Sequence, residues 1–332
     1  MKKLIAIAMM LCLLMGLSAC STANTASVAV LWSGDNAAAV VPNSLINAMD
    51  RAMYIENIAY KHYAAAGDAA AQTAQAEEAL AAGCTALMVE AVDAATAQSV
   101  VDLAKAKNVP VVLFNCEATA EVVASYERCA AVVTDAQTLP ATYGAMIGQH
   151  IVSSLPALDR NGDGVVSYCP VGDVAALVAA ADAVLTQAGY QPLSAVEGAD
   201  MNSVLAANND EGGNMVELVI TADDADALVV LGALQGVGYN SNRLKTHNIP
   251  VFTVGADADA SAFTDTSAMT DEEKAQLVYN VMNIIDGGRI TGTAMEDYDG
   301  LAVAAAALTG TLLKGETPEQ AIVSVPYTIY TK

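Results

Sequence analysis

The segment DRNGDGVVS, residues 159–167, carries oxygen atoms at alternate positions, with Gly164 where a sharp turn is needed. Hard oxygen donors at this spacing are typical of a calcium-binding loop, in which a bidentate carboxylate at the twelfth position completes about six to eight ligands. Pro170 occupies that twelfth position here. The loop therefore predicts a structural Ca²⁺ ion that needs a carboxylate from elsewhere, and the alternative is a plain turn of Asp, Asn and Gly. The donors are the side chains of Asp159, Asn161, Asp163 and Ser167 and the carbonyl oxygen of Val165.

Short apolar runs that alternate with helical patterns predict the elements that position this loop. Turn residues bound each run, and roughly ten to twenty residues of helical pattern separate neighbouring runs, which is typical of parallel sheets covered by helices on both faces. Residues 55–65 fit a strand or a helix. The predicted fold class is α/β, with room for two such sheets in 332 residues. The runs are 27–32, 85–90, 111–115, 129–135, 164–169, 217–224 and 249–255.

Polar residues follow these runs where the predicted strands end. Ligands of open α/β sheets bind at the carboxyl ends of the strands, so these residues are candidates for ligand contact. Asp and Asn at such positions are, taken singly, more often helix N-caps. The candidates are Ser33, Asp35, Asn36, Glu90, Asp93, Asn115, Glu117, Asp135, Asp173, Asp223, Asp224 and Asp257.

The net charge of −23 argues against nucleic acid and anionic membrane surfaces as partners. The sequence has no Gly-rich phosphate loop, GxSxG or HExxH motif, so we expect no enzyme activity. Four cysteines beyond residue 20 lack CxxC and His-rich spacing, which predicts no zinc site and favours buried thiols over a disulfide. These are Cys84, Cys116, Cys129 and Cys169.

Residues 1–19 have the pattern of a secretory signal peptide, with two lysines, a short apolar run and small residues before Cys20. The segment LSAC, residues 17–20, resembles the lipobox of bacterial lipoproteins. The resemblance implies that Cys20 becomes an acylated N-terminus. The small, polar residues after it predict a tether to the domain over residues 20–27. An ordinary secretory signal with a chance cysteine is the alternative.

The segment LAAGCTALMVEAVDAATAQSVVDLAKAKNVPVVLFNCEA, residues 80–118, resembles the galactose/glucose-binding branch of the type I periplasmic binding proteins of ABC importers. The loop 159–167 and the segments 216–234, 247–252, 287–302 and 325–330 extend the resemblance over nearly all of the mature chain. It implies two Rossmann-like lobes joined by a three-strand hinge, with the ligand between them. Lobe one is expected at 28–115 and 299–324 and lobe two at 116–298 and 325–332, with crossings near 115–118, 296–299 and 324–326.

The same resemblance implies the missing metal ligand and the ligand contacts. Alignment of VELVITADD places Glu217 where the family has its bidentate calcium carboxylate. Trp32, the single Trp, is expected either to stack on the ligand or to pack at the strand end. Acids replace family Asn residues at several contacts, and the family's His-x-Asp-x-x-x-Arg segment is missing. The implied ligand-binding set is Trp32, Asp35, Asn36, Glu90, Asn115, Asp173, Asp223, Asp257 and Glu296.

The expected function is that of an extracytoplasmic solute-binding lipoprotein that delivers a sugar to an ABC permease and contacts the membrane only through its lipid. A ligand-sensing lipoprotein is the alternative. A carboxylate only accepts hydrogen bonds, whereas Asn also donates, so the acids gathered in one cleft favour an amino sugar or a polyamine-like cation. The alternative is that several of these acids point away from the cleft and a neutral sugar still binds. A repressor on the same scaffold would begin with a helix-turn-helix, where this chain has its signal peptide.

Overall fold

The computed structural model describes residues 27–34, 45–196, 215–241, 248–277 and 279–332. Within these ranges the chain forms two compact units: the first from 27–34, 45–133 and 301–323, and the second from 134–300 and 324–332. As far as the described residues go, each unit holds one six-stranded sheet with helices packed on it. The predicted α/β class is confirmed.

The first sheet has the strand order β11-β5-β4-β3-β1-β2, and the pairs from β5 to β2 are parallel. Its central strands are buried on both faces, which explains their continuous apolar sequences. The strands are β1 Val28–Trp32, β2 Tyr60–Ala64, β3 Leu87–Val89, β4 Val111–Phe114, β5 Cys129–Thr134 and β11 Ile322–Val325. The helices of this part are Leu45–Ile55, Ala69–Ala81, Ala94–Lys107, Ala120–Ala124 and Tyr298–Leu313.

The second sheet has the order β12-β10-β9-β8-β6-β7, and its edge strand β12 runs antiparallel to β10. The other pairs are parallel. The strands are β6 Ser167–Val171, β7 Ser194–Ala195, β8 Leu218–Thr221, β9 Val251–Val254, β10 Gly292–Met295 and β12 Thr328–Thr331. The helices are Leu139–Ser154, Ala175–Gln187, Asp224–Gly236, Asp271–Gln276 and Val281–Asp286, with a 3₁₀ turn at Ser261–Phe263.

The first crossing between units lies later in the chain than predicted. The sequence placed it near 115–118, but β5 pairs with β4 in the first sheet, from Val111 opposite Cys129 to Phe114 opposite Val132. The crossing therefore falls between residues 133 and 134. The other two described crossings, at 300–301 and 323–324, lie beside the predicted 296–299 and 324–326.

Two glycines allow the helix Leu139–Ser154 to pack closely on the helix Ala175–Gln187. A Cβ atom on Gly148 would lie 2.7 Å from the carbonyl oxygen of Ala181, and one on Gly144 would lie closer still to the carbonyl oxygen of Leu177. Any larger side chain at these positions would push the helices apart, so the pair depends on glycine.

The ambiguous stretch 55–65 is resolved as the end of the helix Leu45–Ile55 followed by the edge strand β2. The four cysteines beyond residue 20 are free thiols, and burial raises the pKa of Cys129 to about 12. No helix among the described residues has the length and apolar character needed to cross a membrane.

Candidate functional site

A carboxylate bridge closes the carboxyl edge of the first sheet. The Glu90 side chain, just after β3, accepts hydrogen bonds on Oε2 from the Ser33 backbone N–H at 3.1 Å and the Ser33 hydroxyl at 2.8 Å. Its Oε1 accepts from Asn115 Nδ2 at 2.6 Å. Three strand ends are thus tied together by one acid. The sequence placed Glu90 and Asn115 at strand ends, and the structure brings them into contact.

The backbone near this bridge is also held by side-chain hydrogen bonds. Gln72, fully buried on the helix Ala69–Ala81, donates to the carbonyl oxygen of Glu90 at 2.9 Å and accepts from the Val92 N–H at 3.0 Å. Asp93 caps the next helix and accepts from the Thr96 N–H at 2.7 Å, and its hydrogen bonds to Thr96 lower the pKa of its carboxyl. Asp93 therefore acts here as an N-cap.

Trp32 precedes Ser33 at the end of β1, with only 2% of its surface exposed. Its indole packs edge-on against Phe114, with ring centroids 5.2 Å apart and an interplanar angle of 84°. This arrangement corresponds to the packing alternative for Trp32. Asp35 and Asn36, the next candidates along the chain, lie outside the described residues, as does Cys20.

The carboxyl edge of the second sheet holds a group of acids bound to neutral donors. Tyr298, the first residue of its helix, donates its hydroxyl hydrogen bond to Asp257. Asp224 accepts from the Ala258 N–H at 2.7 Å and so fixes the turn that carries Asp257. Burial raises the pKa of the Asp224 carboxyl, and the charge of Asp257 raises it further. Like charges therefore meet at this edge.

Glu296 extends the second edge at the end of β10. Its Oε1 accepts a hydrogen bond from the Thr134 hydroxyl at 3.1 Å. Burial and the charge of Glu296 together raise the pKa of Tyr327. The nearby Asp135 accepts from the N–H groups of Gln137 and Thr138, both at 3.2 Å, and so shapes the turn after β5.

Asp173 and Asp223 are exposed in the second unit. Asp223 is the N-cap of the helix Asp224–Gly236 and accepts from the Asp226 N–H at 2.8 Å. Asp173 accepts a longer bond, 3.4 Å, from the Ala175 N–H. Asp223 therefore has the contact that the N-cap alternative predicts, whereas the N-cap position of the helix Ala175–Gln187 is Val174 and Asp173 precedes it.

Tyr298 and Thr134 were missed by the sequence reasoning. Their partners, Asp257 and Glu296, lie 41 and 162 residues away in sequence, so no local pattern signals the contact. A polar residue at a helix start or strand end was the only available signal, and many positions share it.

The loop 159–167 is folded around its first residue. Asp159 Oδ1 accepts from the N–H groups of Gly162 at 2.9 Å and Asp163 at 3.2 Å, and its Oδ2 accepts from Gly164 at 2.9 Å. Gly164 has a φ of +83°, which a residue with a side chain adopts only with strain. The Asn161 side chain bonds to Asp163 Oδ2 at 2.9 Å.

Glu217 contacts this loop from a position one residue before β8. Its side chain is fully buried, and its Oε1 accepts from the N–H groups of Arg160 at 2.5 Å and Asn161 at 3.4 Å. Its Oε2 accepts from the Ser167 N–H at 2.9 Å. Burial raises the pKa of Glu217, backbone hydrogen bonds oppose that shift, and the charge of Asp159 adds to it.

The donor set fits calcium in its chemistry, because every candidate ligand is oxygen and a buried carboxylate faces the loop. Oε2 of Glu217 accepts one backbone hydrogen bond and keeps a free lone pair, whereas Oε1 already accepts two. In the described ranges, however, no three His, Cys, Asp or Glu side chains converge as metal ligands. An ion would therefore draw on Asn161, Ser167 and the Val165 carbonyl as well as on the acids.

Residues 43–317 match a family model described as a periplasmic binding protein domain. The chain belongs to the periplasmic binding protein family. The resemblance that the sequence suggested is thereby confirmed at the level of the family, and the paired α/β sheets agree with it.

Individual relatives of this periplasmic binding protein carry sugar-related names. The D-galactose/methyl-galactoside binding periplasmic protein of Haemophilus influenzae is 25% identical over 279 residues, covering 77% of this chain and 75% of that protein. The periplasmic binding protein component of the arabinose ABC transporter from Shewanella sp. ANA-3 has a TM-score of 0.56 at 17% identity, with 92% and 91% of the two chains covered. A glucose-galactose binding protein from Geobacillus stearothermophilus has a TM-score of 0.51 at 13% identity, with 92% and 97% covered. The two structures support the fold.

Proposed function

We propose that this protein is the extracytoplasmic solute-binding component of an ABC sugar importer, with a hexose of the galactose or glucose type as ligand. The observation that carries the proposal is the family match over residues 43–317, together with a galactose-binding relative that covers 77% of the chain. Glu90, Asn115, Asp257 and Glu296 are the described residues proposed for ligand contact. We assign no catalytic role to any of them.

The contacts of the acids support a neutral ligand. Sugar hydroxyls donate and accept, and a carboxylate held by neutral donors is a fixed acceptor for them. Glu90 is held by Ser33 and Asn115, and Asp257 is held by Tyr298. Since these partners fix the carboxylate oxygens before ligand arrives, little side-chain entropy is lost on binding.

One observation favours a second candidate, a cationic solute such as an amino sugar or a polyamine. Asp224 and Asp257 interact unfavourably at the second edge, which raises the pKa of Asp224 in addition to the effect of burial. A cation would relieve this repulsion. Its binding would weaken as salt increases, because salt screens the attraction between exposed charges.

Calorimetric titration at low and high salt separates the two ligands. We expect galactose or glucose to bind with little salt dependence, and galactosamine and spermidine to bind weakly. The Glu296→Gln variant should bind the neutral hexose as well as or better than the unmodified protein. Salt-sensitive binding of spermidine or galactosamine, weakened by Glu296→Gln and without hexose binding, would establish the cationic ligand instead.

We further propose a structural Ca²⁺ ion in the loop 159–167, with Glu217 as the ligand that the loop itself does not supply. The support is the buried position of Glu217 against the loop backbone. When bound, the ion neutralises the buried carboxylate and ties the loop to β8. The loop donors remain those given by the sequence, Asp159, Asn161, Asp163, Val165 and Ser167.

We also propose that Cys20 is acylated and anchors the protein to the outer face of the cell membrane, so that only the lipid contacts the bilayer. The support is the LSAC segment after a short apolar run. The protein could deliver its solute to a permease or present its solute-bound form to a receptor. Permease genes next to its own gene would indicate delivery.

A further inference from the structure

A chain of hydrogen bonds runs from the surface to the end of β1, next to Ser33 of the Glu90 bridge. The indole Nε1–H of Trp32 donates to His62 Nδ1 at 2.9 Å, and His62 Nε2 lies 2.8 Å from Asp50 Oδ1. An indole nitrogen can only donate, so Nδ1 must be unprotonated and the ring proton is on Nε2, from which it reaches Asp50. The three side chains come from β1, β2 and the helix Leu45–Ile55.

Tyr60 contacts both His62 and Asp50 at the solvent-exposed end of these hydrogen bonds. Tyr60, two residues before His62 on β2, packs edge-on against the imidazole with ring centroids 5.1 Å apart. Burial, together with a hydrogen bond to Asp50 and the charge of that acid, raises the pKa of Tyr60 to about 12. Asp50 therefore accepts from two neighbours and holds the imidazole in one orientation.

The Trp32 end of these hydrogen bonds adjoins, in sequence, the residues that hold Glu90. Trp32 precedes Ser33, which holds Oε2 of Glu90, and Phe114 precedes Asn115, which holds Oε1. Trp32 and Phe114 pack against each other at 5.2 Å. A rotation of the indole would therefore disturb both residues that hold Glu90. The hydrogen bond to His62 adds a directional restraint on the indole to the packing of its buried ring against Phe114.

We propose that His62 is a positioning residue: by accepting the indole N–H of Trp32, it fixes the Ser33 end of the bridge that presents Glu90 to the ligand. The effect on ligand affinity rests on the proposed sugar-binding function. The effect on Ser33 is independent of that function. The inference also gives Trp32 a role as an anchor of the ligand edge, in place of a stacking contact.

Two matched variants separate the hydrogen bonds of His62. In His62→Asn the amide oxygen occupies nearly the position of Nδ1 and can accept from Trp32, while the bond to Asp50 is lost. In His62→Gln the amide nitrogen occupies nearly the position of Nε2 and can donate to Asp50, while the bond to Trp32 is lost. The His62 side chain is 30% exposed, so neither change leaves a closed cavity.

The measurements are the NMR resonance of the indole N–H, amide hydrogen exchange at Ser33, and calorimetric titration with D-galactose. Trp32 is the single Trp of the chain, so it gives one indole signal. In His62→Gln we expect a shifted indole signal, Ser33 exchange faster by about 3- to 10-fold, and galactose affinity lower by a similar factor, as expected for one lost hydrogen bond. In His62→Asn the indole signal should stay near its position in the unmodified protein. Ser33 exchange and galactose affinity should stay within about twofold of their values in that protein.

Equal Ser33 exchange in the two variants would overturn the inference, as would faster exchange in His62→Asn than in His62→Gln. Equal galactose affinity in the two variants would overturn the link to ligand binding. If the unmodified protein binds no sugar, the proposed function fails, and the Ser33 comparison still decides the positioning role by itself.

Discussion

Substitution of Glu217 by Gln removes a buried charge from the loop 159–167 while keeping the size of the side chain. The amide oxygen can still accept from the N–H groups of Arg160 and Asn161. The amide nitrogen then faces the Ser167 N–H, which donates to the carboxylate at 2.9 Å in the present structure. Two donors would face each other at that point.

The expected cost follows from these contacts. A lost hydrogen bond to a charged group costs about 1.5 to 3 kcal/mol, and part of this is recovered because a buried charge no longer has to be desolvated. We therefore expect the calcium-free Glu217→Gln variant to lose about 1 to 2 kcal/mol of unfolding free energy. In the unmodified protein, Ca²⁺ at about 100 times its dissociation constant should add about 2.7 kcal/mol. For a unit of this size that corresponds to a rise in melting temperature of about 5 to 10 °C.

The stability of the calcium-free protein depends on pH through Glu217, in a definite direction. Burial raises the pKa of Glu217 in the folded protein above its unfolded value. The stability that this shift contributes is present at low pH and is lost as pH rises through the folded pKa. Without calcium, the unmodified protein should therefore lose stability relative to Glu217→Gln over that range. The calcium increment should grow over the same range, because the ion binds the deprotonated carboxylate.

Thermal unfolding with chelator and with Ca²⁺ measures both effects. Glu272→Gln, which neutralises an exposed acid on the helix Asp271–Gln276, is the control and should keep the full calcium increment. In Glu217→Gln the increment should fall below about 1 kcal/mol. An unchanged melting temperature of the unmodified protein on chelation would reject the calcium site. A full increment in Glu217→Gln would reject the assignment of Glu217.

Three further substitutions test packing, a buried amide and the lipid anchor. Gly148→Ala would place a Cβ atom 2.7 Å from the Ala181 oxygen and should lower the unfolding free energy in urea by about 1 to 3 kcal/mol. Gly236→Ala, where among the described residues no heavy atom lies within 4 Å of such a Cβ, should change it by less than about 0.5 kcal/mol, and equal effects would contradict the packing. Asn240→Ala removes a buried side chain that exchanges two hydrogen bonds of 2.8 Å with the backbone of residue 249, and should cost about 2 to 4 kcal/mol in the same assay; a cost below about 0.5 kcal/mol would contradict this role. Cys20→Ala should move the protein from the membrane to the soluble fraction, and an already soluble unmodified protein would refute the anchor.

The sequence predicted the buried strands because their apolar runs are continuous. Burial on both faces leaves every residue of β1 and β4 apolar, so the runs 27–32 and 111–115 lie within a residue of the observed strands. Edge strand β2 is half exposed, and its sequence YKHYA mixes polar and aromatic residues. Its apolar signal is correspondingly weak, which is why 55–65 fitted either element.

The position of the first crossing depended on pairing that local sequence does not encode. The run 129–135 was recognised as a strand, but nothing in it specifies whether it joins the first sheet or the second. Its partner is β4, whose residues begin 18 positions earlier at Val111. The register between strands is set by packing over this distance, so the crossing was placed too early.

The candidate site was predictable in position and less so in contacts. Strand ends gave Glu90 and Asn115, because the carboxyl ends of parallel strands meet at one edge. A capping acid bonds within three residues, as Asp93 and Asp223 do. Whether an acid bridges strands depends instead on a distant partner, 57 residues away for Ser33 and Glu90. The direction of the Trp32 side chain is a similar case, since its partner His62 lies 30 residues away on another strand.

Calorimetric titration of D-galactose into the unmodified protein and the Glu90→Ala variant tests the central claim most directly. We predict saturable one-to-one binding by the unmodified protein, and at least about tenfold weaker binding when the carboxylate held by Ser33 and Asn115 is removed. Circular dichroism should confirm that the variant remains folded. Failure of the unmodified protein to bind galactose, glucose or arabinose, or equal galactose affinity in folded Glu90→Ala, would contradict the claim that this edge of the sheet binds sugar.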